Sequence, residues 1–491
     1  MSDAIWNWAS LMPVLPEIFL ALSAMALLVI GAGRNKAGPA TLVSVLAVLA
    51  FAVTIALVLR TEWSPVTAMA GHFVMDGFAA YLKIIILAGL GASLLVSLHY
   101  LKKENIALFE YPVLVMLAGI GMMIMVSAQS FLALYVGLEL QSLALYVLAA
   151  IRRDHATSSE AGLKYFVLGA LASGMLLFGI SLIYGYVGAI GFEAVGDTLA
   201  AAKLEGTLMP GAVIGMVFII VAIAFKVSAV PFHMWTPDVY EGAPTAVTAL
   251  FAIVPKMAAV GLLLRVLFDP FAALMVDWQQ IIWVLAAASM ALGGIAGIVQ
   301  KNIKRLMAYS AIGNIGFALV GVVAGTTAGI GAALLYVTIY MVMSAGVFGV
   351  ILFMRRNNVA VDKISDLAGL SKTHPVMAYA MAALMFSMAG IPPLAGFFSK
   401  VVVFQVALAE QFYVLAVFGL ITSVLGAYYY LYIVKVMFFD EAVEKLDREP
   451  SLLRNLVVAA SIVFIIGFAI IPDVLMDTSN QAASVLLPAN D

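Results

Sequence analysis

A chain of 491 residues of which 64% are hydrophobic and only 11% charged, with a mean hydropathy of +1.11, lies far from the roughly 25% charged content of soluble domains and reads as an integral membrane protein. A net charge of −2 without a basic patch beyond the loops excludes nucleic acid as a partner. The absence of cysteine excludes disulfides, thiolate metal sites and iron–sulfur clusters ligated by this chain.

From the N-terminus, MSDAIWNW places Asp3 where a secretory leader carries its basic region, so no cleavable leader is expected. Windows of roughly 20 apolar residues, the length that crosses a bilayer core, predict an all-α protein of about fourteen spans. They centre near residues 23, 50, 88, 119, 140, 173, 221, 255, 289, 315, 341, 391, 425 and 462. Polar connections of some length are expected only near 61–76, 191–208, 355–374 and 440–451. Loops after odd-numbered spans hold Arg34, Lys36, Lys102, Lys103, Arg152, Arg153, Lys301, Lys304, Arg305, Arg355, Arg356, Lys363, Lys372, Lys445, Arg448 and Arg454, against Arg60, Lys203 and Arg265 on the opposite side. The imbalance puts the first group in the cytoplasm and both termini in the periplasm.

Six basic residues remain inside spans. Lys83, Lys164 and Lys435 lie near span ends, from which a lysine stem reaches the interface; Lys164 is also a further candidate for relay or gating. Lys226, Lys256 and Lys400 lie too deep, where insertion costs about 2.5–3.5 kcal/mol each. The fifth span, SFLALYVGLELQSLALYVLAA, supplies the acid at comparable depth, Glu139, in a helical stripe with Tyr135, Ser142 and Tyr146. A carboxylate about 6 Å from a lysine at an effective dielectric near 20 offsets roughly 3 kcal/mol. With three deep lysines to one such acid, desolvation favours the neutral form of the others, and the set reads as proton-carrying groups.

The seventh span, in AFKVSAVPFHMWTPDVYEGAPT, breaks at Pro231 after Lys226, and the twelfth breaks in AGIPPLAGFFSK, where Pro392 and Pro393 precede Lys400. Each proline removes a backbone donor, and each break frees carbonyls that protein or water must satisfy. Broken helices beside ionisable residues mark an ion path. Spans 4–8 (110–268) and 9–13 (279–439) are two sets of five whose fourth member is broken, so an odd count makes them inverted repeats; 1–105 holds three peripheral spans and 452–472 the last. In the second set Tyr309, Ser310 and Asn314 replace the acid, and Gly293 and Gly297 have helix-packing spacing.

LYVGLELQSLALYVLAA, FKVSAVPFHMWTPDVYEGAPT, VPKMAAVGLLLRV and MFSMAGIPPLAGFFSK closely resemble the subunit N family of bacterial proton-pumping NADH:quinone oxidoreductase (complex I), counterpart of mitochondrial subunit 2. The resemblance runs over the whole chain and implies inverted five-helix bundles joined by a hydrophilic midplane axis. It makes Glu139 and Lys226 a modulating pair, Lys256 the central relay residue and Lys400 the exit-side residue. His233 occupies the position of the family's broken-helix histidine. The eleventh span offers Tyr336, Tyr340 and Ser344 where larger antiporter-like relatives carry histidine. The family further implies no cofactor on this chain, with FMN, iron–sulfur clusters and quinone on partner subunits. Expected partners are antiporter-like and small helical membrane subunits, membrane lipids, protons and internal water, in the bacterial inner membrane. A multi-subunit Na+/H+ antiporter subunit and a passive scaffold are the alternatives.

Overall fold

Long apolar runs in hydrocarbon leave the helix as the local way to pair every backbone N–H and C=O, and the computed structural model of the protein is helical almost throughout. The structure describes residues 11–33, 39–61, 63–441, 444–448 and 450–487. Arg34 and Lys36, and the two termini that the charge count assigns to the periplasm, lie outside the described residues.

In chain order the elements are α1 (Leu15–Ala32), α2 (Pro39–Arg60), β1 (Val66–Ala68), β2 (Phe73–Met75), α3 (Gly77–Lys103), α4 (Glu110–Val126), α5 (Phe131–Ala149), α6 (Ala156–Val187), α7 (Phe192–Leu204) and α8 (Pro210–Val227). They continue with α9 (Trp235–Gly242), α10 (Thr245–Ile253), α11 (Pro255–Phe268), α12 (Met275–Ala296), α13 (Ile303–Val323), α14 (Thr327–Ile351), β3 (Arg355–Arg356) and β4 (Val359–Ala360). The last are α15 (Leu370–Thr373), α16 (Pro375–Ala389), α17 (Ala395–Ala409), α18 (Tyr413–Phe439), α19 (Leu452–Gly467) and α20 (Asp473–Leu486). The strands form two antiparallel hairpins.

Among the described residues, 11 spans are long and apolar enough to cross a membrane. The fourth and fourteenth expected spans are the shorter α4 and α19, and the twelfth is divided between α16 and α17. The eighth, Thr245–Phe268, is buried along its whole length and forms the centre of the molecule. It is itself interrupted at Val254, because Pro255 offers no amide to the preceding turn. Two helices lie where no span was expected. α7 buries Phe192, Val195 and Leu199 as one stripe, and α20 buries Ser479, Ala482 and Ala483; both are too short and too polar to register as spans. Gly293 on α12 meets the backbone of Gly313 on α13, where a methyl group has no room, in keeping with a packing role.

Several charged residues sit differently from expectation. Lys83 does not reach an interface: it is 0% exposed and pairs at 2.7 Å with Glu17 of α1, itself 4% exposed. Glu17 is thus a second buried acid, though at the start of its span, whereas Glu139 at mid-span is only half-buried. Arg265 is no loop residue but a buried partner of Asp76 at 2.9 Å. Lys304, Arg355 and Arg454, counted with the loops, are also buried; Arg355 pairs with Glu104. Lys435 behaves as expected, 56% exposed and paired with Asp440.

Candidate functional site

Lys226 ends α8, where Ser228 adopts a left-handed conformation (φ 66°) and the amides of Ser228 and Ala229 turn back onto the carbonyls of Phe225 and Ala224. The indole of Trp235 donates to Phe225 O at 2.9 Å, the hydroxyl of Thr236 to Ser228 Oγ at 2.7 Å, and the amide of Val230 to Ser289 Oγ at 2.9 Å. The break at Pro231 is thus closed by neutral donors. The Lys226 ammonium, buried, turns instead to α5, donating to Ser142 Oγ at 2.6 Å and Tyr146 OH at 3.3 Å. Glu139 forms no direct ion pair with it. The carboxylate lies one turn before Ser142 on the same helix and accepts a hydrogen bond from Ser173 of α6. Tyr146 packs edge-on against Tyr165, which stacks at 4.5 Å on Trp235, so aromatic rings tie the polar stripe of α5 to the broken helix. Tyr135 and His233 are half-buried, and His233 Nδ1 has no hydrogen-bond partner among the described residues.

Lys256 opens α11 one residue after Pro255, surrounded by protein. Its Nζ lies 5.3 Å from the centre of the Tyr240 ring, within cation–π range, and has no hydrogen-bond partner among the described residues. The buried hydroxyls of Tyr240, Tyr340 and Ser344 likewise lack a partner of good geometry. Tyr336 continues the polar line. It donates to Asn314 Oδ1 at 2.7 Å, Asn314 donates to Tyr430 OH at 3.2 Å, and Tyr430 shares a 2.6 Å bond with Ser310.

Lys400, on the first turns of α17, reaches back across the second break. Its ammonium donates to the carbonyls of Met388 and Ala389 at 3.1 Å each and to Ser423 Oγ at 3.0 Å, above the Phe317 ring. In an unbroken helix those two carbonyls would accept from residues 392 and 393, both prolines without an N–H. On the other side of the break, Ser387 Oγ accepts from the amide of Gly396. A cavity of about 10 Å³, the room one water needs, lies between Lys400, Asn314, Ser423 and Tyr430.

On the face that carries the basic loops, a vestibule of about 890 Å³ opens between the two halves. Lys164 is 42% exposed there and bridges Glu160 and Asp238, both at 2.8 Å. Arg305 of α13 bridges Asp238 at 2.7 Å and Glu241 at 2.9 Å. Lys304 caps the end of α9, donating to the carbonyls of Glu241 and Ala243. The short helix α9, which carries Tyr240 over Lys256, is therefore held by charges from both halves. Sequence reading missed Ser173, Tyr240, Ser423, Tyr430 and the cap by Lys304. Ser423 and Tyr430 are seven residues apart on one face of α18, which is the only local signal they give.

Residues 128–426 match the family described as NADH:quinone oxidoreductase/Mrp antiporter, TM. NADH-quinone oxidoreductase subunit N of Paramagnetospirillum magneticum is 52% identical over 481 residues, 98% of each chain. That of Rhodospirillum rubrum is 52% identical over 476 residues, 96% of this chain and 97% of the relative. A chain of respiratory complex I from Thermus thermophilus with bound aureothin matches with a TM-score of 0.80 at 29% identity, over 94% of this chain and 98% of that one. A chain of the Mrp complex from Dietzia sp. reaches 0.85 at 21% identity over 98% of both, a likeness of fold alone. Relatives aligned from end to end at this identity, on a scaffold whose breaks and buried lysines fall where the sequence required them, establish that the chain belongs to the NADH-quinone oxidoreductase subunit N family.

Proposed function

We propose that this chain is the proton-translocating membrane-arm subunit of a respiratory NADH:quinone oxidoreductase in the bacterial inner membrane. It couples quinone reduction on partner subunits to proton transfer along Glu139, Lys226, Lys256 and Lys400. Residues 110–268 and 279–439 act as inverted repeats, each contributing a half-channel, and both termini face the periplasm. FMN, iron–sulfur clusters and quinone belong to the partners, among them antiporter-like and small helical membrane subunits. This chain performs no redox step.

Lys256 carries the reading. A lysine kept to pin helices is paired, as Lys83 is with Glu17. Lys256 is buried without a hydrogen-bond partner among the described residues, retaining an insertion cost of about 2.5–3.5 kcal/mol, as a group kept for its chemistry does. The hydroxyls of Tyr240, Tyr340 and Ser344, without a partner among the described residues, are groups that internal water would satisfy, and such water would extend the line toward Asn314 and Lys400. Family membership favours this function over an Na+/H+ antiporter subunit, and the unpaired lysine speaks against a passive scaffold.

The test is Lys256→Arg beside Lys256→Ala in the whole complex. Arginine keeps the charge but stays protonated in proteins. Both variants are expected to assemble and to lose most proton transfer per NADH oxidised in vesicles. A fully assembled Lys256→Arg complex pumping at parental stoichiometry sinks the relay assignment.

A further inference from the structure

The two carboxylate oxygens of Asp238 meet cations from different halves of the molecule. Oδ2 accepts from Lys164 of α6 at 2.8 Å, and Oδ1 accepts from Arg305 of α13 at 2.7 Å. We propose that Asp238 is a positioning residue of the relay, seating α9 between α6 and α13 so that the Tyr240 ring stays over the Lys256 ammonium. This role rests on the relay reading of Lys256 and adds to it the group that sets the lysine's surroundings from the vestibule.

A helix of eight residues is too short to hold itself by its own hydrogen bonds, and irregular backbone flanks α9 at 228–234 and 243–244. Its seat is therefore set from outside. At its start Trp235 and Thr236 bond to the end of α8. At its end Gly242 lies so close to α6 that a methyl group there would meet Thr157 O at 2.7 Å. Among the described residues, the ion pair that joins α9 to α6 is the one made by Asp238, whereas α13 is met again through Glu241 and the carbonyls that Lys304 caps. These pairs do little for stability, because Lys164, Asp238 and Arg305 are 42%, 37% and 30% exposed, and exposed ion pairs contribute little. Nor are the cations stranded without Asp238: Lys164 keeps Glu160 at 2.8 Å and Arg305 keeps Glu241 at 2.9 Å. What is lost with Asp238 is the tie that runs through α9 from one half to the other.

Two residues along a helix turn the side chain by about 200°. Asp238 accordingly faces the vestibule, while the buried Tyr240 faces the opposite way, its ring centre 5.3 Å from Lys256 Nζ. One rigid turn carries both. Side chains stand about 5–6 Å from the helix axis, so a roll of about 10° displaces the ring by about 1 Å. Cation–π attraction holds within about 6 Å of the ring centre, and the present separation leaves less than that displacement in reserve. A misplacement of about 1 Å beside a reacting group costs up to about 100-fold in rate.

The experiment compares Asp238→Asn, Asp238→Glu, Tyr240→Leu and Lys256→Arg in the intact complex, by proton uptake per NADH oxidised in vesicles and by amide hydrogen exchange of the peptide spanning α9. Asp238→Asn is expected to assemble with the parental melting temperature, to exchange the α9 amides about tenfold faster and to lose about tenfold or more of its proton uptake. Asp238→Glu, which keeps the charge, should restore most of both. Tyr240→Leu should reproduce the loss of uptake. Normal pumping by Lys256→Arg sinks the relay and this role with it. A silent Lys256→Arg beside a normally pumping Asp238→Asn overturns the positioning role alone. So do parental amide exchange in a poorly pumping Asp238→Asn, normal pumping by Tyr240→Leu, or failure of Asp238→Asn to assemble, which makes the residue a structural anchor instead.

Discussion

Lys400→Met separates a structural lysine from a functional one. Methionine keeps most of the side chain's length and removes its donors. The carbonyls of Met388 and Ala389, already deprived of amides by Pro392 and Pro393, then lose the ammonium that serves them at 3.1 Å. Two buried acceptors left unpaired cost about 1–3 kcal/mol each, roughly 2–6 kcal/mol together. Removing the buried charge returns about 2.5–3.5 kcal/mol. The terms nearly offset one another, so the variant is expected to assemble with an apparent melting temperature close to that of the parent, and yet to lose most proton pumping. Subunit content and thermal unfolding of the isolated complex, beside proton uptake per NADH oxidised in vesicles, measure the two effects separately. An assembled Lys400→Met complex that pumps normally refutes the relay role. A variant that fails to assemble, rescued together with full pumping by Lys400→Arg, shows instead that the residue is a clamp for the break.

Three further outcomes are expected. Glu139→Gln keeps an acceptor for Ser173 and removes the charge one turn from Ser142; assembly should persist while pumping falls, and unchanged pumping removes the Glu139 and Lys226 pair from the mechanism. Glu17→Gln leaves Lys83 charged, buried and unpaired, a loss of about 3–5 kcal/mol, whereas the double variant Glu17→Leu with Lys83→Met should recover most of it; a double variant as unstable in thermal unfolding as the single one contradicts a simple buried pair. For topology, Ser158 is buried and bonded to Ala149 O, so the exposed neighbour is the useful probe: Ser159→Cys and Leu204→Cys should label from opposite faces, and labelling of both in intact cells by one impermeant reagent overturns the orientation.

The spans were legible because hydrocarbon forbids unpaired backbone, which stretches the signal over a long apolar window. The breaks were legible because proline cannot donate. Depth within a window singled out Lys226, Lys256 and Lys400, and all three are buried. Pairing across the fold left no such trace. Glu17 sits at the start of its span and gives no local sign that Lys83, on another helix, meets it. Lys304 reads as a loop lysine until α9 ends against it. Lys226 meets Ser142 while Glu139 meets Ser173, because side-chain reach, which spacing does not encode, brings each group to a hydroxyl first.

The two breaks solve one problem by different chemistry, and the difference bears on the relay. At the first, the Trp235 indole and the amides of Ser228 and Ala229 serve the carbonyls of Phe225 and Ala224, and the Lys226 ammonium bonds to side chains of α5 and not to the backbone. Whether its amine is charged or neutral, the end of α8 keeps its hydrogen bonds. At the second, the lysine itself is the donor. An ammonium has three N–H groups, and all three are committed, two of them to backbone carbonyls that have no other source. When Lys400 gives up a proton, one acceptor is abandoned in a buried site, and the remaining bonds weaken from charge-assisted to neutral. The end of α16 must then take a donor from elsewhere or shift, and the cavity against Asn314 and Tyr430 is the adjacent space from which a water can supply one. Lys256, bound to neither break, changes charge without disturbing a helix end. Of the three lysines, Lys400 is therefore the one whose ammonium is bonded to backbone carbonyls, so that under the proposed relay any loss of its proton falls on the connection between α16 and α17.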